Sequence, residues 1–230
     1  MYNLLASAAV FVLLHRAISG SPVRGHLVRR IGELAYGRAF QIASITSLVW
    51  LGIAYAGANQ AEVVGPLWSV PPTVRHLQLI IQPSALLLIV TGLTTPNPAT
   101  FRQEAVADQP DIVRGVLRVT RHPFLWGVAL FAAGHVLAAP SPRNLVLFGI
   151  LLAVALAGTV SIDAKRRHAL GPRWTAFAAC TSNIPLAAVL AGRQPLRLDE
   201  LGWRMIIAVA ALSAVLVRTH FFLFGVPAAR

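Results

Sequence analysis

The residues best suited to chemistry lie where a polar loop meets a long apolar run. Arg118, Arg121 and His122 stand just before Pro123, and His135 follows inside the apolar run. Proline is tolerated in the first turn of a helix, so this pattern predicts a helix that begins at Pro123. Unpaired N–H groups and the positive end of the helix dipole add to the charge of the arginines. The stretch therefore predicts a site for an anion.

Several histidines lie in or beside apolar runs, and these are His15, His76, His122, His135 and His220. A single intramembrane histidine is explained as well by hydrogen bonding between helices as by function. Several in one small bundle favour a site, because ionisable groups within a membrane are costly. Neutral imidazoles from different helices can ligate a metal or a haem iron. Asp163 is the acid closest to a predicted span and the spans themselves contain no carboxylate, so the pattern favours haem over a hydrolytic metal centre.

The cations beside Pro123 fit the same hypothesis. Haem carries two propionates, which would pair with Arg118, Arg121 and His122 at the membrane surface. Arg24 is a further candidate for cofactor binding, and His76 is a second possible partner for His135. The alternative is that these arginines only bind lipid head groups and set the topology of the chain.

Composition predicts a membrane protein. Of the 230 residues, 56% are hydrophobic and only 12% are charged, about half the usual charged fraction of a soluble domain. The mean hydropathy is +0.66. The single cysteine, Cys180, excludes an intramolecular disulfide and a site with several cysteine ligands.

The expected fold is all-α: one polytopic domain over residues 1–230, an integral membrane bundle of about six transmembrane helices. Each apolar run has about the 17–25 residues that a bilayer requires. The predicted spans are residues 2–18, 40–56, 74–93, 123–139, 144–162 and 203–224. Residues 19–39 are expected to be basic and amphipathic, and residues 57–73 to form a loop. Within residues 163–202, the apolar middle from Trp174 to Leu190 is expected to lie against the membrane.

The positions of the basic residues, which give the chain a net charge of +12, predict its topology in the membrane. Most basic residues fall in alternate loops, and the positive-inside rule places these loops in the cytoplasm. Both termini are then periplasmic, in what is expected to be a bacterial inner membrane. Topology and anionic lipid explain the basic loops better than nucleic acid does.

An ordered set of residues spans nearly the whole chain: His15, Arg24, Gly32-Glu33, Arg38, Arg118 to Pro123, Trp126-Gly127, His135, Asp163, Leu170-Gly171, Trp174, Thr181 to Pro185 and Gly192 to Gln194. With this order and spacing the chain resembles the NnrU family, which includes zeta-carotene isomerase. The resemblance implies a polytopic membrane protein. For the isomerase it implies a haem b enzyme that converts a central cis double bond of a polyene to trans, a lipophilic substrate.

The resemblance also implies roles for individual residues. The positions that match the haem ligands of the isomerase are His15 and His135, and His122 matches its Arg-His-Pro histidine. The isomerase has a cysteine three residues before the second ligand, implicated in a ligand switch. Ala132 stands at that position here, which puts a cysteine-based switch in doubt.

Two other functions stay open. Some members of the resembled family are associated with denitrification, so a non-enzymatic haem or redox partner of nitrite or nitric oxide reduction is one. The second is a methyltransferase of the isoprenylcysteine type. That family also has an Arg-His-Pro before a helix, and the anion site would then hold the carboxylate of S-adenosylmethionine. This second hypothesis gives no reason for His15 and His135.

Overall fold

The computed structural model describes residues 1–19, 21–58 and 66–224, with side chains as far as residue 222. The all-α prediction is confirmed: these ranges contain helices and no strand. The elements are α1 (Tyr2–Leu13) followed by a π-helical turn (Leu14–Ile18), α2 (Pro22–Ile31), α3 (Glu33–Ala56), α4 (Pro72–Thr94), a 3-10 helix (Glu104–Asp108), α5 (Val116–Val119), α6 (Pro123–Ala138), α7 (Pro142–Leu170), α8 (Pro172–Cys180), α9 (Ala187–Leu190), a second 3-10 helix (Leu198–Leu201) and α10 (Trp203–Phe224).

Among the described residues, four helices are long and apolar enough to cross a membrane, namely α3, α4, α7 and α10. A fifth span is possible if α1 with its π-turn and α2, which are bent by 78°, count as one. The predicted number of six is therefore not confirmed. The shortfall is clearest at α6, because its 16 residues reach only about 24 Å, less than the ~30 Å of a hydrocarbon core.

Two predicted boundaries were wrong. The helix expected from residue 40 begins at Glu33, because Gly32 with its φ of +82° separates it from α2. The helix expected to end at residue 162 continues to Leu170, since nothing in the polar residues 163–169 breaks a helix. Asp163 therefore lies within α7. The predicted loop 57–73 is described only at its two ends, because residues 59–65 lie outside the described ranges.

The chain divides into two compact units, and the first comprises Met1–Val70 and His135–Val154. Its core contains Leu4, Ala8 and Phe11 of α1 and Leu51 and Ala54 of α3. Residues at the start of α7 pack against this core. At the far ends of these helices, the Tyr55 hydroxyl lies 2.6 Å from Oδ1 of Asn144.

The second unit comprises Pro71–Gly134 and Ala155–Arg230. Within it α4 and α6 approach closely at small residues. A Cβ on Gly127 would lie 2.8 Å from the carbonyl oxygen of Ala85, and one on Gly92 only 2.4 Å from the backbone nitrogen of Phe124. Any larger side chain at these points would force the two helices apart.

Part of the segment expected to lie against the membrane contributes to the core of this unit. Trp174 and Phe177 of α8 are buried, packed with Leu117, Ile112 and neighbouring apolar residues. Ile184 and Leu190 of the same segment are exposed. Contact of this segment with the membrane stays a prediction, whereas the burial of α8 follows from its packing onto the residues before α6, a contact distant in sequence.

Candidate functional site

His15 lies in the π-helical turn that follows α1. Its Nδ1 is 2.8 Å from the carbonyl oxygen of Phe11. A carbonyl oxygen only accepts, so Nδ1 carries the proton and Nε2 keeps the lone pair. The ring packs against Phe11 and Phe40, with centroids 4.3 and 5.5 Å away. A histidine held by an Nδ1–H bond, with Nε2 available in an aromatic setting, has the form of a metal or haem ligand.

His135 lies near the end of α6, in the same unit as His15. Its ring stacks on Phe148 of α7, with centroids 4.4 Å apart. Three residues earlier, Ala132 is fully buried. Alanine carries no donor atom, so that position supplies no alternative ligand.

An apolar groove of about 560 Å³ runs between α1 and α3 in this unit. Its lining consists of Val10, Leu14, Ala39, Ile42, Ala43, Thr46, Ser47 and Trp50. Leu14 precedes His15, and Ala39 precedes Phe40, which contacts the His15 ring. The volume falls within the range of about 300–1,000 Å³ that is common for small-molecule sites.

Two further candidates for cofactor binding, Arg24 and His76, lie on α2 and α4. Arg24 pairs with Glu33 and lies over the ring of Tyr36, 5.4 Å from its centroid. His76 is exposed in the first turns of α4, in the second unit. A role for either in cofactor binding stays a prediction.

In the second unit, Arg121 and His122 share one carboxylate. Asp163 Oδ1 accepts from Nε of Arg121 at 2.9 Å and from Nε2 of His122 at 2.6 Å, while its Oδ2 accepts from Nη2 of Arg121. Asn183 donates its amide to the same Oδ2 at 3.2 Å. The His122 side chain is 2% exposed, and those of Arg121 and Asp163 are 11% exposed. This buried network joins the start of α6 to α7.

Backbone contacts fasten the turn after α8 to the same network. The Arg121 N–H donates to the carbonyl of Ser182 at 2.9 Å, and the Thr120 hydroxyl donates to that of Asn183. The indole N–H of Trp126 donates to Oδ1 of Asn183 at 3.3 Å. Arg121 and His122 therefore have their hydrogen-bond partners within the chain itself.

Arg118 has its own carboxylate partner. Its Nε and Nη2 donate to the two oxygens of Glu200 at 2.8 and 2.9 Å, and its Nη1 donates to Gln194. The backbone N–H of Gly115 also donates to Glu200, at 2.7 Å. The hydrogen bonds from Arg118 and Gly115 lower the pKa of Glu200 to about 2.

The predicted anion site thus already contacts carboxylates within the chain. A haem propionate, or the carboxylate of S-adenosylmethionine, would have to displace Asp163 or Glu200 to reach these side chains. Its binding to Arg118, Arg121 and His122 stays a prediction. Within the described ranges, no three His, Cys, Asp or Glu side chains come together to hold a metal ion. A haem held by two histidines needs no such group.

Sequence reasoning missed Glu200, Asn97 and the network roles of Asn183 and Gln194. Asn97 donates its amide to the carbonyl of Arg121 at 2.9 Å. Asn183 and Gln194 lie in the motifs Thr181 to Pro185 and Gly192 to Gln194, which were the available signals. Glu200 lies in a polar stretch with nothing to distinguish it from a solvated acid.

A family model described as NnrU protein matches residues 3–228, nearly the whole chain. No curated protein matches the chain, and no solved structure does. The family model agrees with the apolar helices, which indicate a membrane protein.

Proposed function

The chain belongs to the NnrU family, and on that premise we propose that it is an integral membrane haem b protein that isomerises a cis double bond of a polyene. His15 and His135 are the proposed iron ligands. The His15 ring contacts Phe40, whereas His135 stacks on Phe148, which contacts Tyr55, about 22 Å from Phe40 along α3, so binding of one iron by both requires the two rings to approach. When bound, haem supplies a redox-active iron beside the apolar substrate.

One observation carries this proposal: the Nδ1–H of His15 is held by the Phe11 carbonyl, so Nε2 keeps its lone pair. This is the usual arrangement of a ligating histidine, whose other ring nitrogen donates to a carbonyl or carboxylate. His122 differs, because its Nε2 already donates to Asp163. The proposal therefore assigns the iron to the first unit.

The other residues of the first unit would orient the ring and exclude water. Phe11 and Phe40 pack on the His15 ring, and Phe148 stacks on that of His135. The groove between α1 and α3 offers apolar side chains to a lipophilic molecule. An apolar setting favours a neutral imidazole, which is the form that binds iron.

The first test is an absorption spectrum of the purified protein, oxidised and dithionite-reduced, with a pyridine haemochrome assay. We expect haem b near one per chain, with the split reduced bands of two histidine ligands. His15→Ala and His135→Ala should each lower haem content strongly. His168→Ala is the matched control, because His168 is exposed on α7. Unchanged haem in both ligand variants would overturn the assignment.

Activity is tested separately, by adding a central-cis polyene to the reconstituted protein and following the trans product by chromatography. Loss of isomerisation in the haem-depleted variants is the expected result. A haem-loaded protein without isomerase activity, and a deletion strain impaired in nitrite or nitric oxide reduction, would favour the accessory role instead.

A further inference from the structure

The basic helix α2 (Pro22–Ile31) lies between two apolar helices of the first unit. It follows α1 and its π-turn at a bend of 78°, so the two helices run nearly at right angles. After Gly32 the chain enters α3, which is long and apolar enough to cross a membrane. Because the start of a spanning helix lies near the bilayer surface, α2 is held at the level of the lipid head groups.

Apolar side chains form one row along α2. Val23, Leu27 and Ile31 follow one another at intervals of four residues, so they lie on one side of the helix. Val23 is 48% exposed and Ile31 is 50% exposed, although both side chains are apolar. Ser21 caps the helix, because its hydroxyl accepts from the N–H of Val23 at 3.2 Å. An apolar row that is open at the membrane surface fits the acyl region of a lipid.

A second row on α2 is basic. His26, Arg29 and Arg30 are spaced by three and four residues, and all three are exposed. At 3.6 residues per turn, the mean directions of the two rows differ by about 105°. When the apolar row enters the bilayer, the long arginine side chains can therefore still reach the phosphate groups.

The ion pairs of the chain leave this basic row available to an anion. Arg24, which lies outside the row, pairs with Glu33. Within the described residues, no carboxylate forms an ion pair with Arg29 or Arg30. The Arg29 guanidinium folds back over Gly25, where a Cβ would lie 3.6 Å from its Nη1. Planar guanidinium groups that lack a carboxylate partner suit the oxygens of a phosphate.

We propose that α2 binds anionic phospholipid, with Arg29 and Arg30 on the phosphate groups and Val23 and Ile31 among the acyl chains. The apolar row beside the basic one, and the continuity of α2 with a spanning helix, favour a lipid over an acidic segment of another protein. A zwitterionic phospholipid offers no net charge to the arginines, so the surface selects anionic lipid. This inference does not depend on haem.

The test uses the full chain in phosphatidylcholine nanodiscs that contain a little phosphatidylglycerol with a diazirine on its acyl chain. After photolysis, peptide mass spectrometry measures the labelled fraction of residues 22–31. We expect unlabelled phosphatidylglycerol to suppress this labelling, and the same amount of added phosphatidylcholine to leave it unchanged. Arg29→Gln combined with Arg30→Gln should lower the labelled fraction roughly 25-fold, because each basic residue near an anionic surface contributes about fivefold in affinity.

Arg167→Gln combined with Arg218→Gln is the matched control, because it removes two exposed arginines of the second unit. It should leave the labelling of residues 22–31 unchanged. Arg29→Lys combined with Arg30→Lys should keep most of the labelling, since lysine retains the charge. Equal suppression by the two phospholipids, or a glutamine variant labelled like the natural chain, would overturn the proposal. An equal loss of labelling in the matched control would do the same.

Discussion

Two histidines, one in each unit, show different uses of the same side chain. His15 donates a hydrogen bond from Nδ1–H to a backbone carbonyl and keeps a lone pair on Nε2 in an aromatic setting. His122 is anchored through Nε2 to a carboxylate that also holds Arg121. The first arrangement suits a ligand-binding imidazole. The second pairs side chains of the chain with one another and is typical of a structural contact.

The largest expected effect on stability comes from a substitution of Asp163. Asp163→Ala leaves Arg121 and His122 buried without their shared acceptor, which should destabilise the protein by about 3–5 kcal/mol. Differential scanning fluorimetry in detergent measures the fall in Tm. The control is Asp108→Asn, because the Asp108 side chain is 62% exposed in its pair with Arg173, and exposed pairs contribute only about 0–1 kcal/mol. Equal falls in Tm for the two variants would contradict a stabilising buried network at Asp163.

His122 provides the direct contrast with His15. His122→Asn should cost roughly 1.5–3 kcal/mol, as expected for a hydrogen bond to a charged group. The haem content of the folded fraction should stay that of the natural chain. His15→Ala should show the opposite pattern, with haem lost and Tm little changed in haem-free samples. Haem loss from folded His122→Asn would instead make His122 part of the cofactor site.

Alanine substitutions of one glycine in α6 and one in α7 compare how tightly the helices pack in the two units. Gly127→Ala places a Cβ 2.8 Å from a backbone oxygen of α4, so it should destabilise the second unit by about 1–3 kcal/mol. Gly149→Ala, in the first unit, meets nothing closer than 3.9 Å and should be stabilising by up to about 1 kcal/mol. Thermal unfolding of the two variants, side by side, gives the sign of each effect.

The smallest expected effect is the pH dependence of the Arg118–Glu200 contact. The pKa of Glu200 is lowered to about 2 in the folded chain from an ordinary value of 4.5. A lowered acid pKa stabilises the fold above pH 4.5, and this contribution declines as the pH falls towards 2. Glu200→Gln should therefore show a flatter decline in Tm across that window. Parallel curves for the two proteins would mean that the contact does not form in solution.

The sequence anticipated those features that depend on local pattern. Apolar runs predicted the all-α membrane character, and Pro123 correctly marked the start of α6. The predicted run 123–139 is at the lower limit of length for a span, and α6 ends one residue earlier, at Ala138, which puts it just below that limit. The early start of α3 was missed because residues 33–39, which include Glu33 and Arg38, were assigned to the basic segment 19–39 and not to the apolar run that follows.

The candidate site was likewise predictable in part, in its residues but not in their pairing. Residue types and family resemblance singled out His15, His135, Arg118, Arg121 and His122. No local pattern could show that His122 and Asp163, 41 residues apart, share a hydrogen bond, or that Glu200 reaches Arg118 across 82 residues. Pairing at such separations is decided by how α6, α7 and α8 pack.

By itself, the sequence determined the solvent of this protein, its helical class and its family, because hydropathy, composition and motif order are properties of the chain. Tertiary structure alone decided which polar side chains are satisfied within the fold. A buried charge is tolerated only where folding brings a partner within hydrogen-bond distance. That requirement pairs Asp163 with Arg121 and His122, just before α6, whereas the Phe11 carbonyl orients His15 through a contact four residues away in sequence.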